Sequence, residues 1–179
     1  MAEKKLIFHY SLGPAAEIYK PKIIVETGTH SGRTAAFMCS IALKYNEDVE
    51  YYGFDLFDMA TDETHLKEIN GKGTGSYEKA EARLSGLKSQ YPKFKYKLHK
   101  GFTTESFTSP IIADLVYIDG GHSTETVLHD YSMVKGSKII VFDDYQMDSV
   151  VEAIKQIGIE DKVEIIALGK TKQAIYRNL

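Results

Sequence analysis

Apolar residues along this chain fall into short continuous runs separated by helix-spaced patterns. Ile23-Ile24-Val25 is such a run, as expected of a strand buried on both faces. After a turn with two glycines, Ala35, Met38, Ile41, Ala42 and Tyr45 recur at the spacing of one helix face. Tyr51 to Phe54 predicts a second strand, ending in Asp55. Tyr77, Ala80, Leu84, Leu87 and Tyr91 predict a helix, with Ser76 as its N-cap and Pro92 as its stop. Phe94, Tyr96 and Leu98 alternate with Lys93, Lys95 and Lys97, a third strand of period two. Leu115 to Ile118 is a fourth strand, ending in Asp119. Ser123 is placed to cap a helix carrying Val127, Tyr131 and Val134. Ile139 to Phe142 is a fifth strand, followed by Asp143-Asp144. Val150, Ile154 and Ile157 mark a further helix, which Gly158 can terminate. Two closing strands, Val163 to Leu168 and Ala174 to Arg177, are joined by the loop Gly169-Lys170-Thr171-Lys172.

Strands alternating with helices predict an α/β fold: a doubly wound, mostly parallel sheet of seven strands with helices on both faces. The last two strands have no helix between them, so they form a C-terminal antiparallel hairpin. Residues 1–179 read as one domain, with 1–20 as an N-terminal extension. Residues 61–75 are polar and carry Gly71, Gly73 and Gly75. They read as a long mobile loop, either a lid over a site or a plain connection.

Composition narrows the class. The 179 residues are 43% hydrophobic and 26% charged, with a net charge of −3, which excludes a disordered or collagen-like chain. Cys39 is the only cysteine, so neither an internal disulfide nor a cysteine-built zinc site can form. A reducing, cytoplasmic setting is the simplest expectation. No apolar run approaches the roughly 18 residues of a membrane helix, and Met1-Ala2-Glu3-Lys4-Lys5 does not open a signal peptide. The charge balance gives no general reason to expect a nucleic acid or a membrane as partner. Alternation puts the lysines interleaved with Phe94 and Tyr96 on one face or outer side of a strand, which disfavours a nucleic-acid strip. Gly71-Lys72-Gly73-Thr74-Gly75 has no strand before it, so a phosphate loop is disfavoured.

In a parallel sheet ligands bind beyond the carboxyl ends of the strands. Those ends here carry Glu26, Asp55, Asp119, Asp143 and Asp144. Five carboxylates on one edge repel each other unless a cation or a hydroxyl-rich ligand lies among them. The first turn, Glu26-Thr27-Gly28-Thr29-His30-Ser31-Gly32, lacks the middle glycine of a dinucleotide fingerprint, which also speaks against a nicotinamide dehydrogenase. Asp55 can accept hydrogen bonds from ribose hydroxyls. Each feature has a plainer reading: a bare strand-to-helix turn, or a solvated strand end. Asp143 or Asp144 could instead cap the helix beginning near Met147.

Taken together, the strand ends resemble the class I S-adenosylmethionine-dependent methyltransferases. The turn from Glu26 to Gly32 is similar to that family's first motif. Ile118-Asp119-Gly120-Gly121-His122-Ser123, followed by Ile139 to Tyr145, resembles the small O-methyltransferase branch of macrocin O-methyltransferase-like proteins. The resemblance implies a Rossmann-like fold and S-adenosylmethionine as cofactor. It places Glu26, Gly28, Thr29, Ser31, Gly32, Asp55 and Asp119 around the methionine and ribose, and Thr103 and Thr104 at adenine. It further implies a divalent cation such as Mg2+ on Asp119, Asp143 and Asp144. Asp119 and His122 become the catalytic candidates, His122 as general base. Hard carboxylate oxygens suit Mg2+, which would lower the pKa of an acceptor hydroxyl. The expected partner is a small hydroxylated acceptor: a sugar, a glycan precursor or a phenol. Tyr10, Phe57 and Tyr145 are candidates for its apolar walls. The competing reading is a cofactor-binding module without transfer activity, or a subunit of a larger assembly. The sequence leaves the acceptor and the oligomeric state open, a homodimer included.

Overall fold

The computed structural model describes residues 11–68 and 73–178. In chain order the elements are α1 (Leu12–Tyr19), β1 (Ile23–Thr27), α2 (Arg33–Ala42), β2 (Glu50–Asp55), α3 (Asp62–Lys67), α4 (Tyr77–Gln90) and β3 (Lys95–Lys100). Then follow α5 (Thr103–Ser106), β4 (Leu115–Ile118), α6 (Thr124–Val134), β5 (Ile139–Phe142), α7 (Asp148–Ile157), β6 (Val163–Leu168) and β7 (Thr171–Arg177). The strand order is β3-β2-β1-β4-β5-β7-β6. The first five strands run parallel; β7 pairs antiparallel with both β5 and β6. This is the expected sheet, with β3 on its edge. No helix among the described residues is long and apolar enough to cross a membrane.

Strand alternation sends successive side chains to opposite faces. Ile24, Leu115, Tyr117, Ile139 and Val141 meet Leu12 of α1, Met38 of α2 and Leu84 of α4 on one face. Val25, Val116, Ile118, Ile140 and Phe142 meet Val127 and Val134 of α6 and Val150 and Ile154 of α7 on the other. Because β4 and β5 are central and covered on both sides, all their residues are buried. The chain leaves β1 toward β2 and returns to β1's other side as β4, so the crevice of the switch point opens above β1 and β4.

The expected caps form. Ser76 accepts from the Lys79 N–H and Ser123 from the Thr126 N–H, and Gly158 takes a left-handed φ of 76° to end α7. Neither Asp143 nor Asp144 caps α7, whose N-cap is Met147. Within the N-terminal extension, α1 is a packed helix with Leu12, Ala15 and Ala16 buried. Two expectations are corrected. The segment 61–75 does not run as loop throughout, because α3 fills 62–67. A capping box between Thr61 and Thr64 nucleates that helix, a local signal without the apolar periodicity that marks longer helices. The terminal hairpin turns at Gly169-Lys170 alone, since Thr171 already pairs with Leu168. Tyr10 and Gly71 lie outside the described residues.

Candidate active site

A cleft of about 1750 Å³ opens at the carboxyl ends of the strands. Single small-molecule sites occupy roughly 300–1,000 Å³, so there is room here for two ligands side by side. Of the residues singled out from sequence, Gly28, Thr29, Ser31, Asp55, Thr103, Thr104, Asp119 and His122 line it. Phe57, one proposed apolar wall, lines it as well. Glu26, Gly32, Asp143 and Asp144 are not on its lining.

The first turn is built by close backbone contact. Gly28 has a φ of 87°, and a Cβ there would lie 1.9 Å from the Asp119 carbonyl oxygen. Its lack of a side chain therefore lets the β1 turn touch the β4 turn. Gly32 (φ 70°) does the same against a helix: a Cβ would come within 2.8 Å of the Ala80 Cα in α4. Both glycines serve the architecture of the site. Asp55 braces the turn from β2, its carboxylate accepting from the His30 N–H (2.7 Å) and the Phe57 N–H (2.5 Å). Burial raises its pKa, and those two N–H donors pull it back. A carboxylate offers about four acceptor sites, so two remain for a ribose. His30 and Phe57 both hold left-handed backbones (φ 51°), a strain that concentrates at functional sites.

Glu26 is turned away from the cleft. It is 1% exposed and its carboxyl accepts the Tyr51 hydroxyl, which also meets Thr29 Oγ1 at 3.1 Å. Burial pushes its pKa up to about 8, so it carries a proton at neutral pH. Thr103 is buried beside Asp130, a fully buried carboxyl of α6 flanked also by Thr27. Burial raises Asp130 to about 6, and the two hydroxyls oppose that rise. His129 Nε2 lies 3.0 Å from the Thr103 carbonyl oxygen, fixing the start of α5.

Asp119, His122 and Asp144 bring one ligating atom each within 4.8 Å of one another. His122 Nε2 is 2.9 Å from Asp144 Oδ2 and 3.9 Å from Asp119 Oδ1. Asp144 reaches this point because its backbone is left-handed (φ 49°), which breaks the alternation of β5. Asp143 keeps that alternation and falls on the Tyr117 face. It accepts from the Tyr117 hydroxyl (2.7 Å) and from Gln173 Nε2 (3.0 Å), and Gln173 in turn accepts from Ser11. The structure thus brings together Asp119 and Asp144 of the expected metal set, adds His122, and leaves Asp143 in a separate buried network. Two carboxylates and an imidazole are a donor set that fits a divalent cation, with further positions left for oxygens.

Tyr51, Tyr117, Gln173, Asp130 and Glu68 were not singled out from the sequence. The two tyrosines did leave a signal. A tyrosine in a doubly buried strand must find a partner for its hydroxyl, and the strand-end acids are the nearest acceptors. Asp130 left one too, since it falls at helical spacing between Val127 and Val134 on the apolar face; Gln173 left none.

Residues 25–145 match the family described as Methyltransferase domain. Among curated proteins no match is found. Among solved structures, the O-methyltransferase TomG from Streptomyces achromogenes, involved in tomaymycin synthesis, is 14% identical with a TM-score of 0.62; the alignment covers 93% of this chain and 77% of that one. CalS11, a TDP-rhamnose 3'-O-methyltransferase of calicheamicin biosynthesis, is 19% identical with a TM-score of 0.63, covering 98% and 79%. A ribosomal protein L11 methylase from Lactobacillus delbrueckii subsp. bulgaricus is 17% identical with a TM-score of 0.57, covering 98% and 79%. These likenesses establish a shared fold. The family match runs from β1 through Tyr145, more than half of the sequence and every strand end that lines the cleft, and on it the chain belongs to the class I S-adenosylmethionine-dependent methyltransferases.

Proposed function

We propose that this methyltransferase acts on oxygen, methylating a small hydroxylated acceptor with the help of a divalent cation held by Asp119, His122 and Asp144. The observation that carries the reading is the convergence of those three donors on one point beside the cleft that Gly28, Thr29 and Asp55 shape. The fold alone does not choose the acceptor, since the neighbours include enzymes of small-molecule synthesis and a ribosomal protein methylase. An acidic donor set does favour a hydroxyl. A neutral amine is nucleophilic without help, whereas a hydroxyl must first lose its proton. A cation bound there supplies that acidity by lowering the pKa of a coordinated hydroxyl.

The chain's own residues do the rest. Asp55 and the β1 turn hold the ribose side of S-adenosylmethionine, and Thr103 and Thr104 flank its adenine. Asp119 lies where β1 and β4 touch and stands between cofactor and acceptor. The protein then mainly keeps oxygen, methyl carbon and sulfur in line. A second reading of His122 has its own observation: at 2.9 Å from Asp144, the imidazole is held well enough to act as general base. His122→Asn separates the two, because a ligand's loss weakens Mn2+ binding and a base's loss spares it.

The first test is thermal unfolding with S-adenosylhomocysteine. At about 100 times its dissociation constant the ligand adds roughly 2.7 kcal/mol, a rise of roughly 5–10 °C for a domain of this size. Calorimetric titration with Mn2+ follows, and then turnover on sugar, phenol and amine acceptors. Transfer to amines alone, indifferent to chelators, would sink the oxygen assignment. Cofactor binding with no cation site and no transfer would favour a binding module.

A further inference from the structure

Glu68 closes α3 and grips the loop that carries His122. Its carbonyl accepts the His122 N–H at 3.0 Å. Its Oε2 accepts the Thr126 hydroxyl at 3.1 Å and the Ser123 N–H at 3.4 Å. Two successive backbone N–H groups, one on each side of the His122 side chain, therefore end on a single residue from a distant segment. The close approach needs Gly121: a Cβ there would lie 2.6 Å from Glu68 Oε2. The carboxylate also sits at the start of α6, where the helix dipole favours negative charge. Beyond residue 72 the same connection is fastened to the opposite wall of the cleft. His30 Nε2 lies 3.0 Å from the Gly73 carbonyl oxygen, and Gly75 packs directly on the His30 backbone.

We infer that Glu68 is a positioning residue: with its carbonyl fixing the His122 N–H, its carboxylate, by holding Ser123 and Thr126, sets the imidazole against Asp144 and Asp119. The inference about His122 geometry stands on these contacts, and only its effect on cation binding rests on the proposed cation site. A loop of two glycines and a histidine has little stiffness of its own. Glu68 supplies that stiffness from outside, as partners behind metal ligands do elsewhere.

The test uses the full chain with Glu68→Ala, Glu68→Gln and Thr126→Val. The readouts are Mn2+ affinity by calorimetry, S-adenosylhomocysteine affinity, and the His122 ring signal in a 13C-histidine spectrum, assigned with His122→Asn. Glu68→Ala is expected to weaken Mn2+ about 10-fold or more, to displace or split the His122 signal, and to leave S-adenosylhomocysteine affinity unchanged. Glu68→Gln keeps an acceptor oxygen and is expected to restore both. Thr126→Val, which removes one donor, is expected to show the smaller loss. Wild-type behaviour of Glu68→Ala in both readouts would overturn the inference. So would a parallel loss of S-adenosylhomocysteine affinity, which marks general loosening. If the wild type itself binds no Mn2+, the cation reading fails separately and the His122 signal alone decides the positioning role.

Discussion

The strand-end acids divide into two pairs with opposite fates. Glu26 and Asp143 each follow the alternation of their strand and land beside a tyrosine of a neighbouring strand, Tyr51 and Tyr117. They are 1% and 6% exposed and face away from the cleft. Asp144 is as buried, at 7%, but it and Asp119, which lines the cleft, converge on His122. Asp119 sits where β4 gives way to Gly120-Gly121, and Asp144 is swung out by a left-handed backbone. All four are aspartate or glutamate at a strand end. Asp119 and Asp143 stand at the same register, one residue past the paired Ile118 and Phe142; between the neighbours Asp143 and Asp144 the difference is one residue of register and one positive φ. In that pair the backbone angle decides which carboxylate joins the cluster and which is a buttress.

The contrast breaks most completely at Gly28. A methyl group 1.9 Å from the Asp119 carbonyl oxygen, on a backbone with φ 87°, cannot be absorbed by a small shift. Gly28→Ala is expected to cost about 3 kcal/mol or more, read by urea unfolding, and to abolish S-adenosylhomocysteine binding in whatever protein still folds. Next comes Asp144→Asn. It keeps the shape and removes a charge from the three-donor cluster, so Mn2+ affinity should fall about 100-fold, or about 2.7 kcal/mol, with S-adenosylhomocysteine affinity intact. An unchanged Mn2+ affinity would move the cation elsewhere.

Asp143→Asn sharpens the comparison from the other side. Asp143 accepts from Tyr117 on one oxygen and from Gln173 on the other. Asparagine can accept on only one, so either its amide meets the Gln173 amide or the Tyr117 hydroxyl must turn to accept and its proton loses its partner, at a cost of about 1–3 kcal/mol. Mn2+ affinity should stay close to wild type. Were Asp143→Asn to lose the cation as Asp144→Asn does, the buried network would be a resting arrangement that opens to the metal.

Most of the fold was legible in the sequence because strands and long helices announce themselves by period. The strand count, the caps at Ser76 and Ser123 and the stop at Gly158 all follow from patterns within a dozen residues. Helix α3 was not legible, since six residues cannot show a 3.6 period and only the Thr61–Thr64 box betrays it. The site was legible as a list of strand ends and illegible as a direction. Nothing in Phe142-Asp143-Asp144 says which aspartate takes the left-handed turn, and that one angle decides which carboxylate joins Asp119 and His122. The glycines show the same limit: the sequence marks Gly28 and Gly32 as turn positions, but not that they pack on the Asp119 backbone and on Ala80.

The effect of Glu26→Gln is smallest in acid, near the unfolded-state pKa, and it tests the buried half of the contrast by its pH dependence. Burial raises the folded-state pKa of Glu26 from 4.5 to about 8. Between those values the folded state holds a proton that the unfolded chain has released. Stability must then fall as pH rises through this window and level off above it, by at most about 1.4 kcal/mol per pH unit. Asp130, raised from 3.8 to about 6, acts with the same sign at lower pH, so the interval from about pH 6.5 to 8 isolates Glu26. Glutamine keeps the oxygen that accepts the Tyr51 hydroxyl and has no proton to lose. Unfolding of Glu26→Gln should therefore match wild type only near pH 4.5 and below, and its advantage over wild type should grow as pH rises, including from about pH 6.5 to 8. Parallel curves across that interval would mean that Glu26 already ionises in the folded protein, and that the acid beside Tyr51 is as exposed to water as those in the cleft.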